Sequence, residues 1–290
     1  NFYNVRDNAK FGERTDNGND SRGYGYSAFA GATDWNTNAV LHFDRDFDSH
    51  SLGFDLGTEL FKSEYTRTYV EGEQFPNDDF KTLASAASIT AGTSTLSEYS
   101  FLSYFGRLRY NFDQKYLFSA SLRTDGSSRF GKDKRYALFP AMSAGWVLSE
   151  EDFLKDNKTL SFLKLRASWG VSGNADIGNF QSLGLYNAGG YNGNSTLNPE
   201  QIANPGLTWE KSTETDFGID FGLFKNRLSG EIDYYVKNTT DLLLEARVPA
   251  TTGYQDQIQN IGELQNKGVE FTLNSNNFVG KFSWTTSFNI

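Results

Sequence analysis

The chain has no cysteine among its 290 residues, only two histidines (His42 and His50), one methionine and five prolines. Without cysteine there are no disulfides, thiolate metal sites or sulfur nucleophiles, and with two imidazoles histidine chemistry is scarce. No stretch approaches the roughly 18 consecutive apolar residues of a membrane-spanning helix. A helical membrane protein is therefore excluded. A β-barrel is not, because its strands need only about 10 residues each and half of those are free to be polar. Basic residues are short as well, 27 against 36 acidic, for a formal charge of -9. Phosphate neutralisation wants clustered Lys and Arg, so no nucleic-acid partner is expected. G-x-S-x-G, H-E-x-x-H and G-x-x-x-x-G-K are all missing, and the adjacent carboxylates Asp78-Asp79 and Glu150-Glu151 read as solvated surface. No catalytic residue, metal or cofactor is expected, and the chain is not read as an enzyme.

Aromatic residues are abundant at 16%, with 25 Phe and 15 Tyr. Interleaved with Asn, Ser, Thr and Gly, they favour strands joined by polar turns. Period-two alternation recurs along the chain. Phe217, Ile219, Phe221 and Leu223 alternate with Asp216, Gly218, Asp220 and Gly222, and after the turn Phe224-Lys225-Asn226 the pattern repeats from Leu228 to Val236, as in a hairpin. Phe271 and Leu273, then Trp284 and Phe288, repeat it again. About ten strands are expected, near 34 to 44, 50 to 69, 98 to 111, 115 to 125, 135 to 148, 161 to 172, 208 to 223, 227 to 238, 268 to 275 and 281 to 290.

The links between these strands alternate in length. They are short near 45 to 49, 112 to 114, 224 to 226 and 276 to 280, and long at 70 to 97, 173 to 207 and 239 to 267, with comparable moderate links at 126 to 134 and 149 to 160. Outer-membrane barrels have this asymmetry, with short turns at one rim and long loops at the other. Alternation alone also suits a soluble secreted β-sandwich or propeller that binds glycans, or a structural or adhesive surface β-protein. The two architectures part on Phe217, Ile219, Phe221, Tyr234, Phe271 and Trp284: a barrel sets them on a lipid-facing band, a sandwich buries them in one core.

Two local motifs carry no chemistry. Asp44, Asp46, Asp48 and Asp55 have calcium-loop spacing, but Ser49 stands where the sharp turn requires Gly and no Glu closes the site, so a solvated turn is expected. Gly23, Gly25 and Ala28 match G-x-G-x-x-A with no amphipathic helix after them. The loop from Val171 to Leu207, which interleaves amides with aromatics, is the candidate ligand-contacting segment, through Asn174, Asp176, Tyr186, Tyr191 and Asn192. An ordinary surface loop with girdle aromatics at its base is the competing reading.

A family becomes recognisable at Arg123-Thr-Asp-Gly-Ser-Ser-Arg-Phe-Gly131 and Arg135-Tyr-Ala-Leu-Phe-Pro-Ala-Met-Ser-Ala-Gly-Trp146. It continues through Leu148-Ser-Glu-Glu-Asp-Phe-Leu154, Leu163-Lys-Leu-Arg-Ala-Ser-Trp-Gly-Val-Ser-Gly-Asn174, Asn204-Pro-Gly-Leu-Thr-Trp-Glu210 and Gly262-Glu-Leu-Gln-Asn-Lys-Gly-Val-Glu270. These blocks, spread from about Ser97 to Ile290, resemble the barrel of SusC/RagA-like TonB-dependent outer-membrane transporters. Pro140 is expected at a bend or bulge, and Trp146 and Trp169 near strand ends at the membrane interface.

The resemblance implies an all-β fold, an antiparallel transmembrane β-barrel of which this chain holds part, about ten of an expected 22 strands. Residues 1–290 would form one piece of the barrel domain, with the plug and the TonB-contacting segment outside the chain. The implied setting is the outer membrane of a Gram-negative bacterium. The implied partners are the lipid bilayer, a SusD-like surface lipoprotein acting as a lid, the TonB complex, and an imported oligosaccharide or peptide.

Overall fold

The computed structural model describes residues 2–18, 20 and 22–290. The chain runs through β1 (Phe2–Phe11), β2 (Tyr24–Phe47), β3 (His50–Glu73), β4 (Ser88–Phe112), β5 (Tyr116–Ser127), β6 (Tyr136–Val147) and β7 (Leu160–Asn174). It continues with β8 (Leu185–Tyr191), β9 (Asn194–Gln201), β10 (Glu210–Leu223), β11 (Leu228–Thr240), β12 (Leu243–Arg247), β13 (Asp256–Asn260), β14 (Glu263–Phe278) and β15 (Trp284–Asn289). Eleven of these pair in one antiparallel sheet, in the order β1-β2-β3-β4-β5-β6-β7-β10-β11-β14-β15, so β1 and β15 are open edges. The strands β8-β9 and β12-β13 form two separate hairpins. Among the described residues no helix is long and apolar enough to cross a membrane.

All ten expected strands are present. The sheet adds β1, whose apolar and charged residues do not alternate cleanly, and two of the long links carry hairpins of their own. Strands β2, β3 and β4 run for 24, 24 and 25 residues, more than twice the 9–11 or so that a tilted strand needs to cross a bilayer. Antiparallel pairing sends alternate connections to the same strand ends. One set comprises 48–49, 113–115, 148–159, 224–227 and 279–283; the other comprises 12–23, 74–87, 128–135, 175–209 and 241–262. The second set is the longer one, save that 148–159 equals 12–23 in length and exceeds 128–135. Asp113 and Gln114, with φ of 53° and 54°, make the tight kind of turn whose twist suits a hairpin.

The chain divides into two compact units. The first, Asn1–Thr37 with Leu60–Phe101, pairs β1 with the opening half of β2 from Phe2↔Thr33 to Phe11↔Tyr24. Its buried aromatic is Phe75, with the Lys10 ammonium 4.9 Å from the ring centroid. Lys10 also donates to the Asn77 carbonyl at 3.0 Å, which ties the 74–87 connection to the β1-β2 ribbon.

The second unit, Asn38–Glu59 with Leu102–Ile290, carries the rest of the sheet. Register settles which side chains share a face, because directly opposed residues on neighbouring strands point the same way. Arg166, Gly218, Asp233 and Glu270 form one row across β7, β10, β11 and β14. Ala167, Phe217, Tyr234 and Val269 form the adjoining row on the opposite face. Of the six diagnostic aromatics and aliphatics, Phe217, Ile219, Tyr234 and Trp284 are exposed, Phe217 by 57%, and Phe221 and Phe271 are half-buried. None enters a core and no second sheet covers them among the described residues, which overturns the sandwich reading. An apolar band of this extent is stable against lipid and not against water.

Pro140 differs from expectation. The β5-β6 ladder passes through Leu122↔Pro140 without a bulge, while the β6-β7 ladder begins only at Ala141↔Gly170. Having no N–H to give, proline sits where one ladder ends. Trp146 lies next to the end of β6 as expected, whereas Trp169 lies five residues inside the end of β7.

Candidate functional site

The largest apolar core of the second unit lies where the strands pass into the long connections. Phe130 and Leu207 are 1% and 0% exposed, and Trp209, Phe139, Ala137 and Ala175 are buried beside them. The Trp209 ring stands 5.3 Å from Phe130 and 5.4 Å, edge on, from Phe139. Its indole N–H donates to the Arg135 carbonyl at 2.7 Å. The gap left where the β6-β7 ladder stops at Pro140 is filled by these rings. Gly131 packs so tightly on the Pro205 carbonyl that a Cβ there would overlap it.

Polar side chains stitch the same connections together. Arg129 donates to Asn179 Oδ1 and to the Ala175 carbonyl, both at 2.9 Å. The Asn260 carboxamide accepts from the Thr208 N–H at 2.8 Å and donates to the carbonyls of Thr208 and Asp241 at 2.8 and 3.0 Å. Asn204 and Gln257 add bonds to the Ile258 and Ala203 carbonyls. Connections 128–135, 175–209 and 241–262 are thus held as one body, because buried backbone groups left without partners would be costly. The blocks that carry the sequence resemblance meet here: Phe130, Phe139, Asn174, Trp209 and Gly262 come from five of them.

From this base the hairpin β8-β9 projects with the predicted ligand residues on two levels. Asn174 and Asp176 are brought together at the foot, where Asn174 Oδ1 accepts the Asp176 N–H at 2.9 Å and Asn174 Nδ2 donates to Glu210 at 3.3 Å. Tyr186 and Tyr191 stand on β8, 63% and 78% exposed, and Asn192 takes a left-handed φ of 49° at the tip. Five residues separate the tyrosines, so period-two alternation sets them on opposite faces of the ribbon. They do not form a common platform. Sequence reading gave no role to Phe130, Leu207 and Asn260; the signal for Phe130 and Leu207 was the tightly specified Arg123–Gly131 and Asn204–Glu210 blocks that hold them, while Asn260 lies outside every block.

On the polar face, one guanidinium meets four carboxylates. Arg166 approaches Asp216 at 3.2 Å, Asp220 at 3.0 Å and Glu231 at 3.8 Å, and also pairs with Asp233. Gly218 lies beneath it, where a Cβ would come 2.5 Å from the guanidinium carbon. A second knot joins Arg109 to Asp55 at 2.9 Å and Asp44 at 3.2 Å, with His42 Nδ1 2.7 Å from Asp55. Asp44 and Asp55, two members of the calcium-like spacing, therefore serve Arg109, and Asp48 sits in the turn at a φ of 51°. Among the described residues no group of three or more His, Asp or Glu is placed to hold a metal.

Near the short connections the apolar face carries a run of rings, with Phe112, Tyr116 and Trp146 stacked in turn. In the 148–159 connection, Glu151 accepts from the Tyr116 hydroxyl at 2.7 Å and the Trp146 indole at 2.9 Å, with Lys115 at 3.8 Å. Those two hydrogen bonds, Tyr116 first, hold the Glu151 carboxyl below its ordinary 4.5, with Lys115 assisting and partial burial opposing. Hydrogen bonding to Asp113 likewise raises Lys115 above its ordinary value. Amphipathic rings of this kind favour the boundary between lipid and water.

Comparison with known proteins agrees with this geometry. The sequence matches the family model described as TonB dependent receptor-like, beta-barrel, over residues 1–290. It is 42% identical over 215 residues to TonB-dependent receptor SusC of Bacteroides thetaiotaomicron, covering 70% of this chain and 21% of that protein. It is 36% identical over 262 residues to TonB-dependent receptor P39 of Formosa agariphila, covering 88% of this chain and 25% of that one. The structure of the RagAB peptide transporter superposes with a TM-score of 0.91 at 27% identity, over 99% of this chain and 33% of that chain. The chain spans about a quarter of the length of these curated relatives. It belongs to the TonB dependent receptor-like β-barrel family, outer-membrane proteins of Gram-negative bacteria.

Proposed function

We propose that this chain is a segment of the barrel wall of an outer-membrane nutrient importer energised through TonB, which takes up oligosaccharides or peptides without covalent chemistry. One structural observation carries the reading: an apolar face for lipid, a polar face for a lumen, and long connections locked together at one rim. The relatives support it by name, one as SusC and one as the RagAB peptide transporter. The plug and the TonB-contacting segment belong to other parts of the full-length protein, and a SusD-like lipoprotein closes over the long-connection rim. Ligand is met at the β8-β9 hairpin and its foot, among Asn174, Asp176, Tyr186, Tyr191 and Asn192, where amides supply hydrogen bonds and one of the two tyrosines, which lie on opposite faces, supplies the flat apolar contact.

Deletion of the full-length gene, followed by growth on a panel of oligosaccharides and peptides as sole nutrient, tests the reading. Loss of growth on one class, reproduced by deleting tonB, is the expected result. Unchanged growth and uptake on every member of both classes overturns it.

A further inference from the structure

The β8-β9 hairpin has two unlike faces. Its register pairs Asn187 with Asn198, Gly189 with Thr196 and Tyr191 with Asn194, and directly opposed residues point the same way, so these six share one face. The other face takes Tyr186 with Pro199, Ala188 with Leu197 and Gly190 with Ser195. Amides, a hydroxyl and a ring make up the first face, whereas the second is apolar except for Ser195. Neither carries a charge. Glu200, the only charged residue of the two strands, sits in the register shift at the foot.

The amide face is also uncommitted. Asn174, at the foot, spends its carboxamide on the Asp176 N–H and on Glu210. Among the described residues the side chains of Asn187, Tyr191, Thr196 and Asn198 make no hydrogen bond to protein. Two of these polar groups converge: a Cβ on Gly189 would come 2.8 Å from Asn198 Nδ2 and 3.0 Å from Thr196 Oγ1. A carboxamide and a hydroxyl therefore lean over the space that the missing side chain leaves. Tyr191 stands two residues further along the same face, about 7 Å away. At the lower end Gln201, paired with Leu185, donates to the carbonyls of Phe180 and Leu183 at 3.0 and 2.7 Å, so residues 180–183 close the face at its foot. The result is a shallow site with a ring at the tip, donors and acceptors in the middle and a step below.

A sugar presents hydroxyls that both donate and accept, beside a flat C–H face. Carboxamides and hydroxyls match the first and a phenol ring the second. An acidic saccharide, or the charged terminus of a short peptide, would give up water here for a face with no opposite charge, which is costly. A peptide also has the outer edges of the hairpin for main-chain bonds, and would leave the side chains of this face idle. We propose that the face bearing Asn187, Tyr191, Thr196 and Asn198 is a subsite for an uncharged saccharide, and that the Tyr186 face takes no part in it. The assignment rests on the import reading and narrows its ligand to a neutral oligosaccharide.

Calorimetric titration of the full-length protein in detergent tests it. The probes are maltohexaose, cellohexaose, xylohexaose and mannohexaose, with hexaguluronate and a pool of short peptides as the charged alternatives. Wild type is compared with Tyr191→Ala, Tyr191→Phe, Asn198→Ala and Tyr186→Ala, each first checked for heat-modifiable migration of a folded barrel. Binding of at least one neutral hexaose is expected, weakened about three- to tenfold in Tyr191→Ala and by a similar factor in Asn198→Ala. Tyr191→Phe and Tyr186→Ala should stay near wild type. Binding of hexaguluronate or peptide alone, binding of no probe, or hexaose binding that Tyr191→Ala leaves intact or Tyr186→Ala weakens equally, overturns the proposal. The import reading fails separately: growth that does not depend on the gene sinks it, while the titration still decides the subsite.

Discussion

The indole N–H of Trp209 donates to the carbonyl of Arg135 at 2.7 Å, across 74 positions of sequence, and so joins the entrance of β10 to the entrance of β6. Both residues sit at the rim where the long connections gather. Trp209→Ala empties a buried site and releases this bond, a loss of about 3–5 kcal/mol. Trp209→Phe keeps most of the packing and forfeits about 1 kcal/mol. Limited proteolysis of the full-length protein is expected to cleave within 175–209 much faster in the first variant and slightly faster in the second.

Gly218 is the second sensitive point, because its missing side chain is what lets the Arg166 guanidinium lie over β10. Gly218→Val forces the guanidinium away from Asp216, Asp220 and Asp233 and is expected to cost about 1–3 kcal/mol. The check is the temperature at which the barrel loses its heat-modifiable migration on a gel. A midpoint equal to wild type would contradict the close packing.

Phe217 and Asp216 are neighbours on opposite faces. Phe217→Arg places a charge in lipid and is expected to cost about 2–4 kcal/mol near the bilayer midplane. Ser168→Arg, on the polar face, is expected to leave assembly intact. Yields of folded barrel in the outer membrane compare the two directly.

Acid is expected to loosen the ring stack beside the short connections. The folded-state pKa of Glu151 lies below 4.5, so its contribution is fully present above that value and is lost as pH falls through the lower, folded one. Midpoints measured from neutral pH down into the acid range should fall less steeply in Glu151→Gln than in wild type. Parallel curves would show that the carboxylate is not coupled to folding.

Because Tyr186 and Tyr191 occupy opposite faces of the β8-β9 ribbon, one bound ligand meets only one of them. Alanine at that position is expected to weaken ligand binding about three- to tenfold, while alanine at the other leaves it unchanged. Equal losses at both positions would contradict a single contacting face.

The architecture was legible in the sequence wherever a period of two was strict. From Thr213 to Val236, and again at Phe271 and Trp284, each residue's face followed from parity alone, since a strand offers its side chains only two directions. The alternating connection lengths pointed to a barrel for the same local reason. Strand β1 was hidden because Arg6, Asp7, Asn8 and Lys10 break the alternation, and it exists by pairing with β2.

Other features belonged to the tertiary structure. That Phe130, Phe139 and Trp209 meet over the missing part of the β6-β7 ladder depends on strand order and register between segments up to about 80 residues apart, which no local pattern encodes. The same holds for Arg166, whose four carboxylates come from β10 and β11, and for Tyr186 and Tyr191, grouped by composition and separated by hairpin geometry. Sequence determined which side of each strand prefers lipid, because hydrophobicity and strand period are local; pairing decided which charges meet, because that depends on neighbours the chain brings in from far away.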